Sequence, residues 1–367
     1  MKRILLLIKG LGRGGAERLL VDAIRYGDRS RFSYEVAYLL PAKDALVAEL
    51  ETMAARVHCL HGARNVLWMA RLRRLVRQRH IDLLHAHTPY PAAIARVGLP
   101  RTLPIVYTEH NQWDRYRWPT YWGNAVTFGR NNHVFAVSEH ARASAAYPRP
   151  LRFMRMPVME TLYHGPDPAA LGPVVPDGVR AEFAIPEGAP LVGTVANFKD
   201  HKGYPYLLEA ARTVQQAMPE VRFLLVGVGP TLKDRERQAR NLGLGGSVVF
   251  TGFREDALRL MAALDVFVLP SLKEGLSIAL IEAMALGRPT VVTDVGGLPE
   301  VVEHGVQGLV IPPADSRALA RAVVTLLEDG GLRRRMGDRA RCRAAEFDIR
   351  KAVRRIEEVY DALVSTV

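Results

Sequence analysis

Short apolar runs alternate with helix-length amphipathic segments along this chain, and the series runs through once and then begins again. Runs at 4–8, 34–40, 83–86, 105–108 and 134–137 are rich in Leu, Ile and Val and too short for buried helices. They resume at 191–195, 223–226, 248–251, 266–269, 290–293 and 308–311. A strand apolar at every position is buried on both faces, so these belong in parallel sheets covered by helices on each side. Two such series in 367 residues predict two doubly wound α/β domains. Prolines 148, 150, 157, 166, 168, 173, 176, 186 and 190 predict an irregular connector between them. The expected boundaries are 1–165, 166–348 and a final helical segment over 349–367. That last segment carries an apolar stripe (Val353, Ile356, Val359, Tyr360, Leu363) with which to pack back on the first domain.

Composition then excludes several classes. The chain is 49% hydrophobic, and no segment approaches the ~20 apolar residues of a membrane span. The apolar run after Met1-Lys-Arg is too short for a signal peptide and reads as a buried first strand. Cys59 and Cys342 read as reduced core residues of a cytoplasmic protein, not as a disulfide or metal framework. Charge is uneven. Residues 1–165 hold 25 Lys+Arg against 12 Asp+Glu, a balance of +13, and the remainder holds 25 against 26, which recovers the overall +12. An anionic partner is therefore expected for the first half. The densest segment, 68–79, sets Trp68, Met69, Leu72, Leu75 and Val76 on one helical stripe and Arg73, Arg74 and Arg77 opposite. This fits either a solvated helix face or docking on anionic lipid headgroups.

Ligands of doubly wound sheets bind beyond the carboxyl ends of the strands, so the loops there carry the chemistry. Glu274 and Glu282 stand eight positions apart around Gly275-Leu276-Ser277-Ile278, a small-residue turn opening a helix. A loop carboxylate, helix-start amides and a helix carboxylate supply acceptors for hydroxyls and donors for phosphate. Acids at a helix start also arise from ordinary dipole chemistry. Asn197-Phe-Lys199-Asp-His201-Lys202-Gly203 follows the first strand of the second series and offers a diphosphate clamp. In the first series Gly10-Leu-Gly12-Arg-Gly14-Gly15 fits a dinucleotide fingerprint. Glu35 lies inside the second strand rather than at its tip, so hydride chemistry is set aside and a phosphate contact at Gly14 and Gly15 is kept. His110 follows a buried strand, and three of the four tryptophans crowd 113–122, a cluster read as a surface for sugars or a lipid interface.

Together these segments resemble the retaining GT-B glycosyltransferases of family 4 over essentially the whole chain. The resemblance rests on Gly14-Gly15-Ala-Glu-Arg, Thr108-Glu-His110-Asn, Ala136-Val-Ser138, Lys202-Gly203, Leu225-Val-Gly227-Val-Gly229-Pro, Val249-Phe-Thr-Gly252 and Pro270-Ser271-Leu-Lys-Glu274-Gly275. Its most specific part is Glu282-Ala-Met-Ala-Leu-Gly287-Arg-Pro-Thr-Val-Val, followed by Gly296-Gly297-Leu-Pro299-Glu300-Val-Val and Gly305-Val-Gln-Gly308. The resemblance implies an N-terminal acceptor-binding domain and a C-terminal nucleotide-sugar-binding domain facing across a cleft. It places Glu274 on donor-sugar hydroxyls, Glu282 on the ribose, the amides of Gly275, Leu276, Ser277 and Ile278 on sugar and phosphate, Lys202 on the diphosphate, and His110 in the sugar pocket. Two departures stand out. Asn197 occupies a position often basic in the family, and Met156-Pro157-Val158-Met159 replaces the usual Pro-Asn-Gly turn.

The expectation is a cytoplasmic glycosyltransferase, peripheral on the inner membrane face, that moves a sugar from a UDP- or GDP-sugar to a glycan or lipid-linked acceptor. No Asp-x-Asp signature is present, so neither metal nor other cofactor is expected, and nucleic acid is not an expected partner. A GT-B nucleotide-sugar epimerase and a non-catalytic nucleotide-sugar sensor are the competing readings.

Overall fold

The structure, a computed structural model, describes residues 1–61, 67–167, 171–172 and 174–365. Pro168 and Pro173 of the connector lie outside the described residues. The chain divides into two compact units, one formed by residues 1–164 with 349–367, the other by 165–348.

In the first unit the strands β1 (Lys2–Ile8), β2 (Phe32–Tyr38), β3 (Arg56–Cys59), β4 (Leu83–Ala86), β5 (Ile105–Glu109), β6 (His133–Ala136) and β7 (Val158–Thr161) make one sheet. Its order is β3-β2-β1-β4-β5-β6-β7, and every pairing is parallel. The five runs expected from the sequence form its interior, although β2 begins and ends two residues earlier than its run. The two strands without an apolar run, β3 and β7, are the sheet edges. Their residues are only partly buried and include Arg56, His58 and Glu160, so neither shows a continuous apolar signature.

Both faces of this sheet are covered. Helices Gly15–Tyr26 and Ile349–Val364 close one core around Leu6, Ile8, Phe32, Tyr34 and Phe135, into which Ile349, Val353, Ile356 and Tyr360 insert. Helices Trp68–Gln78, Pro89–Gly98 and Trp118–Thr127 close the other around Leu5, Leu7, Trp68, Tyr107 and Phe128. The apolar stripe of the last helix thus completes the unit in which the chain began.

The second unit carries β8 (Leu191–Val195), β9 (Arg222–Val226), β10 (Val248–Gly252), β11 (Val266–Leu269), β12 (Thr290–Thr293) and β13 (Gly308–Ile311), in the order β10-β9-β8-β11-β12-β13, again all parallel. The order reverses beside β8 and β11, so the loops after those two strands flank its topological switch point. Of the cysteines, Cys59 is half-buried but Cys342 is exposed on helix Gly330–Ala344, so the core reading fails for Cys342. Among the described residues no helix is long and apolar enough to cross a membrane.

Candidate active site

In the second unit the loops after β8 and β11 are laced together. The Leu272 amide donates to the His201 carbonyl at 2.8 Å. Gly203 closes a 3-10 turn with φ +70°, and a Cβ there would fall 1.8 Å from the Pro270 carbonyl oxygen. Only glycine satisfies both the left-handed backbone and that approach. The contact sets Lys202 against the acid loop: its Nζ donates to Glu274 Oε2 at 2.6 Å, and Ser271 Oγ donates to the same oxygen at 3.0 Å. Ser271 is itself fixed, since Thr293 Oγ1 at the end of β12 donates to its carbonyl at 2.5 Å. The Gly297 amide holds the Gly275 carbonyl at 3.0 Å.

Helix Ile278–Ala285 then begins with Ser277 as its N-cap, the hydroxyl accepting from the Leu280 amide at 3.4 Å. Gly275, Leu276, Ser277 and Ile278 thus sit at the helix start, where amides lack intrahelical acceptors and the dipole favours an anion. Glu282 lies in the helix's second turn. Asn197 is exposed on the loop after β8, its carbonyl accepting from the Lys199 amide at 2.9 Å. The unit therefore gathers a cation, a carboxylate, a hydroxyl and a helix start at its switch point. Sequence reasoning gave Lys202 and Glu274 separate tasks, and the structure binds them in one ion pair.

In the first unit Gly14 caps helix Gly15–Tyr26 in an extended conformation, and a Cβ on it would lie 2.5 Å from Glu17 Oε2. The carboxylate of Glu17, on the first turn of that helix, thus lies against Gly14. His110 follows β5, half-buried with its Nε2 sealed from solvent, beside two further histidines. Its ring centroid is 5.7 Å from that of His87, which stacks on His85 at 4.2 Å. His85 is held on both sides, its Nδ1 lying 2.5 Å from the Tyr360 hydroxyl and its Nε2 2.7 Å from Thr108 Oγ1. His164, beyond β7, completes the group. Burial, reinforced by the neighbouring rings, holds His87 and His110 well below the ordinary histidine value, and burial alone draws His164 down to about 4. His110 is consequently a neutral imidazole at pH 7, suited to hydrogen bonding with uncharged hydroxyls.

Glu109, the last residue of β5, anchors the aromatic segment beyond that strand. Its carboxylate accepts from Trp113 Nε1 at 2.9 Å, Tyr107 Oη at 3.2 Å, the Asn111 amide at 3.2 Å and the Tyr116 hydroxyl. Burial pushes its pKa up to about 7 against the pull of these donors. Trp113 is therefore core, which corrects the surface reading for that residue, whereas Trp118 is exposed. Glu109, His85, His87 and Tyr360 carried no functional assignment from sequence. The signal for the histidine pair was the i, i+2 spacing in His85-Ala-His87 at the end of a strand, which puts both rings on one side of it. Among the described residues no group of three or more His, Cys, Asp or Glu is arranged to hold a metal ion.

Two all-parallel Rossmann-like units with these motifs define a GT-B enzyme. The family profile described as Glycosyl transferases group 1 matches residues 177–343, and that described as Glycosyltransferase Family 4 matches 13–149. The chain is 29% identical over 303 residues to N-acetyl-alpha-D-glucosaminyl L-malate synthase of Bacillus anthracis, covering 79% of this chain and 77% of that one. It is 34% identical over 167 residues to 2-deoxystreptamine glucosyltransferase of Streptomyces kanamyceticus, covering 45% and 43%. Anabaena HepE, solved in complex with UDP-glucose, superposes with a TM-score of 0.86 at 25% identity, over 99% of this chain and 100% of that one. The chain belongs to the group 1, family 4 type of GT-B glycosyltransferases.

Proposed function

We propose that this glycosyltransferase takes a UDP- or GDP-linked sugar as donor, retains the anomeric configuration, needs no metal, and transfers to a glycan or lipid-linked glycan precursor. The observation that carries the reading is the Lys202–Glu274 pair beside the Ser277-capped helix start. Transfer breaks the bond between the anomeric carbon and the diphosphate oxygen, so positive charge develops on the sugar and negative charge on the leaving group. Lys202, the helix-start amides and the dipole behind them answer that negative charge, each well-placed donor being worth about 3–4 kcal/mol in other enzymes. Glu274 takes sugar hydroxyls, Glu282 the ribose, and Asn197 a place beside the phosphates. In the same reading His110 offers the sugar a neutral hydrogen-bonding group, Gly14 and Gly15 contribute amides to phosphate, and the departing phosphate accepts the acceptor's proton. The complex of Anabaena HepE with UDP-glucose supports a nucleotide-sugar donor.

The second unit is the donor domain in this reading and the first the acceptor domain, whose net charge of +13 over residues 1–165 suits an anionic acceptor or a membrane surface on the cytoplasmic side. A panel of nucleotide sugars screened by thermal unfolding, followed by UDP or GDP release with and without acceptor glycans, tests it. Stabilisation by one donor and acceptor-dependent release support the proposal. Stabilisation without release identifies a sensor, and sugar conversion without acceptor an epimerase.

A further inference from the structure

The first unit has a topological switch point of its own, because its strand order reverses beside β1 and β4. Open α/β sheets bind their ligands at such points, beyond the carboxyl ends of the strands. The loops after these two strands are tied together there. The His87 amide donates to the Leu7 carbonyl at 2.9 Å, and the Lys9 amide to Thr88 Oγ1 at 3.1 Å. His87 is the first residue after β4, and His110 the first after its neighbour β5.

Of the two stacked rings, one is satisfied and the other is not. Both nitrogens of His85 have partners, the Tyr360 hydroxyl on one side and Thr108 Oγ1 on the other, as a histidine that only fills the core requires. His87 is 1% exposed, and neither its Nδ1 nor its Nε2 has a hydrogen-bond partner among the described residues. The Nε2 of His110, whose ring centroid lies 5.7 Å away, is buried and unpartnered in the same sense. Packing alone does not account for three such atoms, since buried polar atoms are normally paired and an unpaired one is destabilising.

The chemistry of the rings selects what can satisfy them. The titratable groups acting on His87 are His85 and His164, those acting on His110 are His87 and His164, and burial keeps both rings neutral. A neutral imidazole carries one N–H and one bare nitrogen. A carboxylate or phosphate oxygen answers only the N–H, whereas a hydroxyl, donor and acceptor at once, answers both. We infer that His87 contacts the transferred sugar directly and, together with His110, reads one of its uncharged hydroxyls, which makes His87 a specificity-determining residue of this enzyme. The inference rests on the proposed nucleotide-sugar donor, and it adds a residue to which that reading gives no part. His85, held by Tyr360 and Thr108, is the fixed floor against which the His87 ring is oriented.

The test compares a nucleotide sugar with its own nucleotide. The probe is whichever of UDP-glucose, UDP-galactose, UDP-N-acetylglucosamine and GDP-mannose binds wild type most tightly, measured by calorimetry on the full-length protein beside free UDP or GDP. His87→Phe, which keeps the ring and removes its nitrogens, should weaken the nucleotide sugar about ten-fold, the scale of one hydrogen bond to an uncharged group, and leave the free nucleotide unchanged. His87→Gln, which retains a donor and an acceptor, should lose less. Deoxyfluoro analogues of the same donor supply a readout that a purely structural role would not move. One of them should bind wild type about ten-fold more weakly than the parent sugar and bind His87→Phe no more weakly than the parent does, because the variant has already lost that contact. Unchanged sugar affinity in His87→Phe overturns the inference and leaves a resident water as the partner of these nitrogens. Equal weakening of sugar and free nucleotide overturns it too, as does a wild type that tolerates every deoxyfluoro analogue. Each of these results leaves the proposed function standing, whereas a wild type that binds no nucleotide sugar overturns the proposed function and the inference with it.

Discussion

Lys202 Nζ and Glu274 Oε2 lie 2.6 Å apart with only 15% and 12% of their side chains exposed, so each is the other's counter-ion. The proposed roles require both to turn toward a ligand without losing that pairing. Glu274→Ala is therefore expected to lower kcat/KM about 10²–10³-fold, the scale of losing one preorganised polar contact at the reacting group. Lys202→Ala should fall in the same range. The double variant should be hardly worse than either single one, because each removal disables the same unit. Steady-state kinetics with the best donor, alongside unchanged melting curves, checks this; full activity in Glu274→Ala would sink the site assignment.

Gly203 makes a second prediction. Gly203→Ala has to accommodate both a left-handed backbone and a Cβ 1.8 Å from the Pro270 oxygen. The φ penalty alone is about 1–2 kcal/mol, and relief of the overlap moves the loop that carries Lys202 away from Glu274. The variant should melt earlier and lose donor-dependent stabilisation disproportionately. A melt and a donor response both like wild type would show that the two loops do not depend on each other.

The histidine group makes the first unit sensitive to acid. His85 is drawn down to about 3 and His164 to about 4, while His87 and His110 lie well below their ordinary value of 6.5. Groups depressed on folding contribute stability that is present above the unfolded value and lost as pH falls toward the folded one. Urea unfolding should thus weaken from about pH 6.5 downward, with a slope of more than one proton. A flat profile between pH 6.5 and 4.5 would contradict the burial of these rings.

Glu109 works in the opposite direction. Its folded pKa is raised to about 7 from 4.5, so the stability it adds is present below 4.5 and is lost as pH rises through 7. In Glu109→Gln one side of the amide turns an NH2 toward donors that now meet no oxygen. Donors on that side lose their acceptor, and destabilisation of about 1–3 kcal/mol is expected. Trp113, whose Nε1 hydrogen bond ends on this carboxylate, gives the readout: its fluorescence should report a wetter environment, and an unchanged spectrum would count against Glu109 as the anchor of that segment.

Much of this molecule could be read from its residues. Interior strands announce themselves as unbroken apolar runs because burial on both faces leaves no room for polar side chains. Edge strands β3 and β7 do not, since their outer surfaces carry Arg56, His58 and Glu160. Spacing alone put Glu274 on a loop and Glu282 on the helix behind it, because helix-start chemistry is local in sequence. The ion pair between Lys202 and Glu274 was invisible, as it spans 72 positions and depends on a glycine contact between two loops. The stack from Tyr360 through His85 to His87 was hidden for the same reason, Tyr360 and His85 being separated by 275 positions. Trp113 shows the converse hazard: an aromatic in a polar, irregular stretch looks exposed until the buried carboxylate that holds it is seen.

The first unit closes with the last residues of the chain. Ile349, Val353, Ile356 and Tyr360 fill a core otherwise built from residues 4–162, and residues 165–348 form the second unit without interruption. During synthesis the half that emerges first is consequently the half finished last. Its sheet face beside Phe32 and Phe135 is only partly covered, by helix Gly15–Tyr26, while some 184 intervening residues of the second unit are made, and that second unit has all of its own core in hand before the ribosome reaches the helix Ile349–Val364. Order of synthesis and order of completion therefore differ here, the first unit closing only when the helix Ile349–Val364 arrives.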